Sequence, residues 1–155
     1  MNSVFFDPAV NDQARRERLY SGQLFLYSPR PSALALCECA RELVRQAFHP
    51  YEPEEAQHQM PVEDYAGLLA RLKPQFINHP ESKRYLQQLL IELGCDPERT
   101  YFDVPRMRTS TSHGYLTTGI AYAWHPHRDT WYSAPTCQLN WWMPIYELEP
   151  DNAMA

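Results

Sequence analysis

Residues 136–146 run Thr136-Cys137-Gln138-Leu139-Asn140-Trp141-Trp142-Met143-Pro144-Ile145-Tyr146, and the fold turns on how that stretch is read. Aromatic and aliphatic residues dominate it, which favours a pleated, half-buried strand. In a strand, side chains two apart point to the same face. Gln138, Asn140 and Trp142 then share one face, with Cys137, Leu139 and Trp141 opposite. Two amides and an indole make a polar row backed by an apolar one. Such a row is either a sheet face turned to solvent or a wall facing a ligand.

The same texture recurs over residues 101–111 and 116–124, so the last third of the chain is predicted as strands. The residues before it have a different rhythm. Residues 1–18 are polar and charged and read as an irregular arm or a short helix. Residues 23–27 read as a short strand closed by Ser28-Pro29-Arg30-Pro31, and Ser32 suits a helix N-cap. Leu36, Ala40, Leu43, Val44 and Ala47 follow helical spacing, and His49-Pro50 ends that run. Val62, Tyr65, Leu69 and Leu72 mark a second helix, stopped near Pro74. Pro80 opens a third, with a stripe of Leu86, Leu89, Leu90 and Leu93 and Gly94 as its C′ residue. The expected class is α+β: helices over residues 1–98 buttress a sheet built from residues 99–155. The helices are too few to make a core alone, so the chain reads as one domain.

Bulk properties exclude several functions. The chain has 155 residues, enough for one domain with a real core, and a net charge of −5. Its basic residues are scattered, which argues against a nucleic-acid partner. It has no apolar run of about 18 residues, so no membrane span is expected. Residues 1–8 lack the basic and apolar regions of a signal peptide, which points to the cytoplasm. Cys37, Cys39, Cys95 and Cys137 lack metal-knuckle spacing and read as reduced thiols. Three of the four tryptophans fall between positions 131 and 142, in keeping with a lined pocket or a well-filled core.

Just before the amide row stands His127-Arg128-Asp129, an H-x-D triplet. In extended chain His127 Nε2 and an Asp129 oxygen point the same way and can bind one metal. Two imidazoles and a carboxylate on one face of an octahedral ferrous ion leave positions for a co-substrate and dioxygen. The triplet alone is weak, because this composition yields about 0.7 chance occurrences of H-x-[DE] per chain. A second one, His79-Pro80-Glu81, sits at a helix start and reads as structural. Context strengthens the first. His125 adds a second imidazole, the loop 130–135 follows, and then comes the amide row.

Taken together, His127-x-Asp129, the run Asn140-Trp141-Trp142-Met143-Pro144-Ile145 and the turn Glu149-Pro150-Asp151-Asn152-Ala153-Met154 resemble the phytanoyl-CoA-dioxygenase-like oxygenases. The resemblance covers roughly residues 100–155. It implies a double-stranded β-helix (jelly-roll or cupin-like) core, iron as Fe(II), and 2-oxoglutarate as co-substrate. It also implies oxidation of a C–H bond of a small-molecule substrate by dioxygen. His127 and Asp129 match the family's iron ligands, and Trp142 to Ile145 match the strand that lines its co-substrate pocket. Gln138, Asn140 and Trp142 are therefore expected at the co-substrate. The family's distal histidine and its arginine for 2-oxoglutarate would lie beyond residue 155, so the β-helix is expected to be incomplete at the C-terminus.

Arg108, on the approach to the site, is a candidate for a substrate carboxylate, as is its neighbour Arg106. Trp131 and Tyr132 are candidates for a substrate lid. Tyr122 and Trp124 either wall the pocket or pack in the core. Two other functions compete. One is a metal-dependent hydrolase using His125, His127 and Asp129, although Thr130 stands where that pattern continues with histidine. The other is a non-catalytic binding protein with an oxygenase-like half-barrel.

Overall fold

The computed structural model describes residues 3–116 and 128–149. Four helices dominate: α1 (Asp12–Tyr20), α2 (Pro31–Phe48), α3 (Val62–Asn78) and α4 (Pro80–Glu92). The described sheet has two strands, β1 (Val4–Phe6) and β2 (Leu24–Leu26), paired in parallel with Phe5 opposite Phe25. Parallel neighbours need a crossover, and α1 supplies it. The Phe5 and Phe25 rings stack at 5.5 Å and Phe25 meets Tyr27 at 6.3 Å, giving this small sheet its apolar side.

Each helix end has a local cause. Asn11 caps α1 by accepting the Ala14 N–H at 2.8 Å. Pro31 begins α2 with its φ already set, but Ser32 does not cap it. Ser32 is buried, and its hydroxyl donates to Glu92 Oε1 at 2.7 Å. Glu92 also accepts the Ser32 backbone N–H at 3.3 Å, so a carboxylate from the end of α4 neutralises the start of α2. At the far end of α2, His49 is extended ahead of Pro50. His79 Nδ1 accepts the Glu81 N–H at 3.3 Å and caps α4, while Glu81 pairs with Arg84. Both ends of the second H-x-E triplet are thus used structurally. Gly94 follows α4 at φ +77°. Its N–H donates to Ile91 O at 2.9 Å and the Cys95 N–H to Leu90 O at 2.9 Å, the two bonds of a Schellman closure.

The expected stop at Pro74 does not occur: α3 continues to Asn78. An interior proline costs about 3 kcal/mol, and burying an aromatic ring contributes about 1.5–3 kcal/mol. Phe76, two residues on, is 6% exposed in the core beside Leu36 and Ala40, so packing offsets most of that cost. The Asn78 side chain also donates to Pro74 O at 2.9 Å.

The core follows the helical stripes. Val44, Phe48, Ala56, Tyr65, Leu68, Leu69 and Leu72 form one buried cluster; Leu36, Ala40 and Phe76 form another. Leu43, Met107 and Ile145 pack against both and join them. Tyr65 meets Phe48 at 5.2 Å and Tyr115 at 5.3 Å, both edge-on.

The jelly-roll expectation is corrected here. Among the described residues the architecture is helical with one two-stranded parallel sheet, not a double-stranded β-helix. Neither 101–111 nor 136–146 forms a strand. β-Propensity expresses fit to a pleated surface with cross-strand partners. In this molecule those segments find helices instead. Met107, Met143, Ile145 and Tyr146 insert their side chains against the two helical clusters. Backbone carbonyls of the second segment are met by side chains rather than by a ladder. Arg41 Nη1 donates to Ile145 O at 2.7 Å, and the Cys37 thiol reaches Pro144 O at 3.6 Å. Pro105 and Pro144, which lack an N–H, further weaken any ladder. Most of the third predicted strand lies outside the described residues. No helix among the described residues is long and apolar enough to cross a membrane.

Candidate functional site

The chain from Arg128 to Asn140 folds back on itself. Arg128 is extended, and Asp129–Tyr132 then form one turn of 3₁₀ helix. The Trp131 N–H donates to Arg128 O at 2.9 Å and the Ala134 N–H to Asp129 O at 3.2 Å. Between them Ser133 takes a left-handed conformation, φ +69°, which reverses the chain. A further turn, with the Gln138 N–H on Pro135 O at 3.0 Å, brings residues 138–140 back beside residue 129.

This return creates a line of polar contacts. Asn140 Nδ2 donates to Asp129 Oδ2 in a short hydrogen bond. Gln138 Nε2 donates to Asn140 Oδ1 at 2.9 Å. Asp129, Gln138 and Asn140 line an opening of about 440 Å³, together with Arg128, Thr130 and Thr136. Asp129 is half-buried, while Gln138 and Asn140 are exposed. Burial therefore does not force the amides to pair; the turn geometry brings them together.

The returning segment is held from behind by α1. Arg16 Nη1 and the Tyr20 hydroxyl donate to Cys137 O at 3.4 and 3.1 Å. At the other end the Trp141 ring lies 5.9 Å from Tyr27, with the Arg15 guanidinium 5.6 Å from its centroid. Arg15 is 2% exposed and donates to Tyr27 Oη at 3.0 Å, to Asp12 at 3.2 Å and to Leu93 O. Part of the two-residue alternation expected of a strand persists without the strand. Gln138 and Asn140 go toward Asp129, while Trp141 goes toward α1.

The expected site residues divide. Asp129, Gln138 and Asn140 converge. Trp142 is 51% exposed and does not line the opening. Trp131 and Tyr132 ride the 3₁₀ turn, exposed beside Asp129 and outside the lining. Arg108 is exposed and lies near Lys73, whose ammonium is pushed below its usual range by burial and then by the Arg108 charge. Arg106 pairs with Asp103 at 2.8 Å. His127, His125, Tyr122, Trp124 and the 151–154 turn lie outside the described residues. No group of three or more His, Cys, Asp or Glu side chains converges among the described residues. The donor chemistry at Asp129 suits one ligand of a hard or borderline cation, a carboxylate oxygen. The imidazole half rests on His127 in the sequence.

Sequence reasoning missed Arg15, Arg16 and Tyr20. Their segment is polar enough to read as either an arm or a short helix; the local signal for the helix is Asn11 ahead of Asp12. A second opening, about 260 Å³, lies beside Arg15, Tyr27, Arg30 and Glu92. Its two guanidinium groups are matched by Asp12, Asp7 and Glu92, so no net positive field gathers there. All four cysteines are free thiols. Burial pushes the Cys37 and Cys95 thiols above the ordinary thiol range.

Comparison of the chain with protein-family models, with curated proteins and with solved structures gives no match.

Proposed function

We propose that the chain carries the iron-binding part of an Fe(II)- and 2-oxoglutarate-dependent oxygenase that acts on a small molecule in the cytoplasm. The observation that carries this reading is local. The carboxylate of an H-x-D triplet accepts from Asn140, which accepts in turn from Gln138, and all three line one opening. The reading does not draw on a jelly roll. It rests on the triplet, on the amide row and on the resemblance of the surrounding sequence to the phytanoyl-CoA-dioxygenase-like oxygenases.

His127 and Asp129 would hold the ferrous ion. The bound ion would supply oxidation of a C–H bond, using dioxygen and 2-oxoglutarate. The chain's own residues have simpler tasks. Asp129 would present an anionic oxygen to the cation; Asn140 donates to that carboxylate, and Gln138 donates in turn to Asn140. Trp131 and Tyr132 are exposed on the turn next to Asp129 and would meet a substrate arriving from solvent. The partners are a small-molecule substrate and dioxygen.

The test is turnover. The full chain is incubated with ferrous iron, 2-oxoglutarate and a panel of small molecules, and succinate is measured. Succinate formation that depends on iron and disappears in His127→Ala is the expected result. No succinate with any substrate, together with unchanged iron affinity in His127→Ala, overturns the proposal. Iron affinity that falls in His127→Ala without any turnover favours the non-catalytic binding protein instead.

A further inference from the structure

The small sheet of β1 and β2 has a second apolar side, and that side is open. In the parallel register Val4 lies beside Leu24, Phe5 beside Phe25 and Phe6 beside Leu26. Phe5 and Phe25 are the half-buried pair. They start an aromatic row that continues through Tyr27 to Trp141, and the Arg18 guanidinium lies 5.0 Å from the Phe5 ring. Strand alternation puts Val4, Phe6, Leu24 and Leu26 on the opposite side. Val4, Leu24 and Leu26 are about half exposed there, and Phe6 is 75% exposed. Yet Val4-Phe5-Phe6 and Leu24-Phe25-Leu26 are unbroken apolar runs. Such runs belong to parallel strands buried on both faces; a strand that faces water alternates apolar with polar.

We infer that two copies of the chain associate through this face, sheet on sheet. Two properties fit it to a second copy. One is self-complementarity, which a contact between identical chains about a two-fold axis requires. The four side chains carry no charge, so no like charges meet at the centre. Their bulk is graded along β1, from Val4 at one end to Phe6 at the other. With the axis between the sheets and across the strands, β1 of one copy runs antiparallel over β1 of the other. Phe6 of each copy then lies over the smaller Val4 of the other, and Leu26 over Leu24. Asp7, next after Phe6, is carried to the Ser3 end of the facing strand and away from its own equivalent. The other property is area. Four apolar side chains this exposed leave on the order of 400 Å² open, the size of patch that marks an interaction site on a soluble protein. Covering it on both copies removes roughly 800 Å² from water, and the flanking Ser3, Asp7 and Gln23 bring the total to about 1,000 Å². That is the low end of specific interfaces, where association is weak and reversible.

Sedimentation of the full chain between about 10 µM and 1 mM reads the oligomeric state. A monomer–dimer equilibrium is expected, with a dissociation constant on the order of 100 µM. Phe6→Lys puts a charge into the contact and is expected to weaken it at least about tenfold. Leu24→Lys repeats the test from the neighbouring strand. Both residues are exposed in the single chain, so the fold should persist, which circular dichroism checks. Ile91→Lys, at an exposed apolar residue of α4, is expected to dimerise as the wild type does. Wild-type affinity in folded Phe6→Lys and Leu24→Lys overturns the inference. So does a wild-type chain that stays monomeric throughout. Maleimide labelling of Phe6→Cys then identifies what replaces the second copy. Slow labelling would mean that the chain covers the face itself, and fast labelling that the face is open to a different protein.

Discussion

The helices between residues 31 and 92 and the irregular segments after residue 100 read differently from sequence, and the difference is one of partners. A helix closes its hydrogen bonds within four residues, so spacing and end signals suffice to place it. Val44, Leu69 and Leu89 are buried where a 3.6-residue period puts them. A strand needs a neighbour that sequence spacing does not name. Residues 101–111 and 136–146 have strand-like composition, but the nearest surfaces are helices, and the side chains pack there. Carbonyls of the second segment, at Cys137, Pro144 and Ile145, are then met by Arg41, Cys37, Arg16 and Tyr20, all from earlier in the chain. Composition reported that these segments would be half-buried. It did not report against what.

The most damaging change to the helical half is predicted at Leu72, 1% exposed in the main cluster. Leu72→Ala should lower unfolding stability by about 2–5 kcal/mol, read from chemical denaturation. A loss under about 1 kcal/mol would mean that the cluster is not the core.

Pro74→Ala sharpens the comparison in the opposite direction. If packing at Phe76 carries α3 through the proline, removing the proline should stabilise the protein by about 1–2 kcal/mol. Destabilisation would mean that the proline is needed where it stands. A loss of about 1–2 kcal/mol is predicted for Arg41→Met, which leaves Ile145 O without its donor. No change in that variant would break the claim that side chains replace a ladder.

These cases show how much was legible. Three long helices were readable, with the residues of their buried stripes, the short strand at β2 and the glycine that closes α4. Ser32 at the start of α2 was misread, because its hydroxyl is taken by Glu92 sixty positions away. The stop at Pro74 was misread because a local cost was offset by a tertiary gain. α1 was left open between an irregular arm and a short helix, because its only buried residue is Arg15, whose charge conceals its burial in any hydrophobic pattern. At the site, the opposite directions of Gln138 and Asn140 against Trp141 were legible, whereas the contact of Asn140 with Asp129 comes from turns that spacing does not show. Trp142 and Arg108 were not, because their assignment presumed a sheet to carry them.

The smallest predicted effect is electrostatic. Asp7, Glu38, Glu81 and Asp103 are held below their ordinary carboxylate values by hydrogen bonds, to Ser28 for Asp7 and to arginines for the others. A lowered carboxylate pKa adds stability that is complete above the unfolded value. That stability is lost as pH falls through the folded value. Stability should therefore be flat near neutrality and decline below the unfolded values, 3.8 for aspartate and 4.5 for glutamate. These groups are exposed, so added salt should shrink the effect. A decline that begins near neutrality in thermal melts would contradict it.

The central claim is that Asp129 binds metal, and a calorimetric titration tests it most directly. Ferrous iron is added anaerobically to the full chain, to Asp129→Ala and to Asp103→Ala, a surface control away from the opening. The account predicts one ion per wild-type chain, the same affinity for Asp103→Ala, and at least about a hundredfold weaker binding for Asp129→Ala. Equal affinity in all three proteins would contradict it.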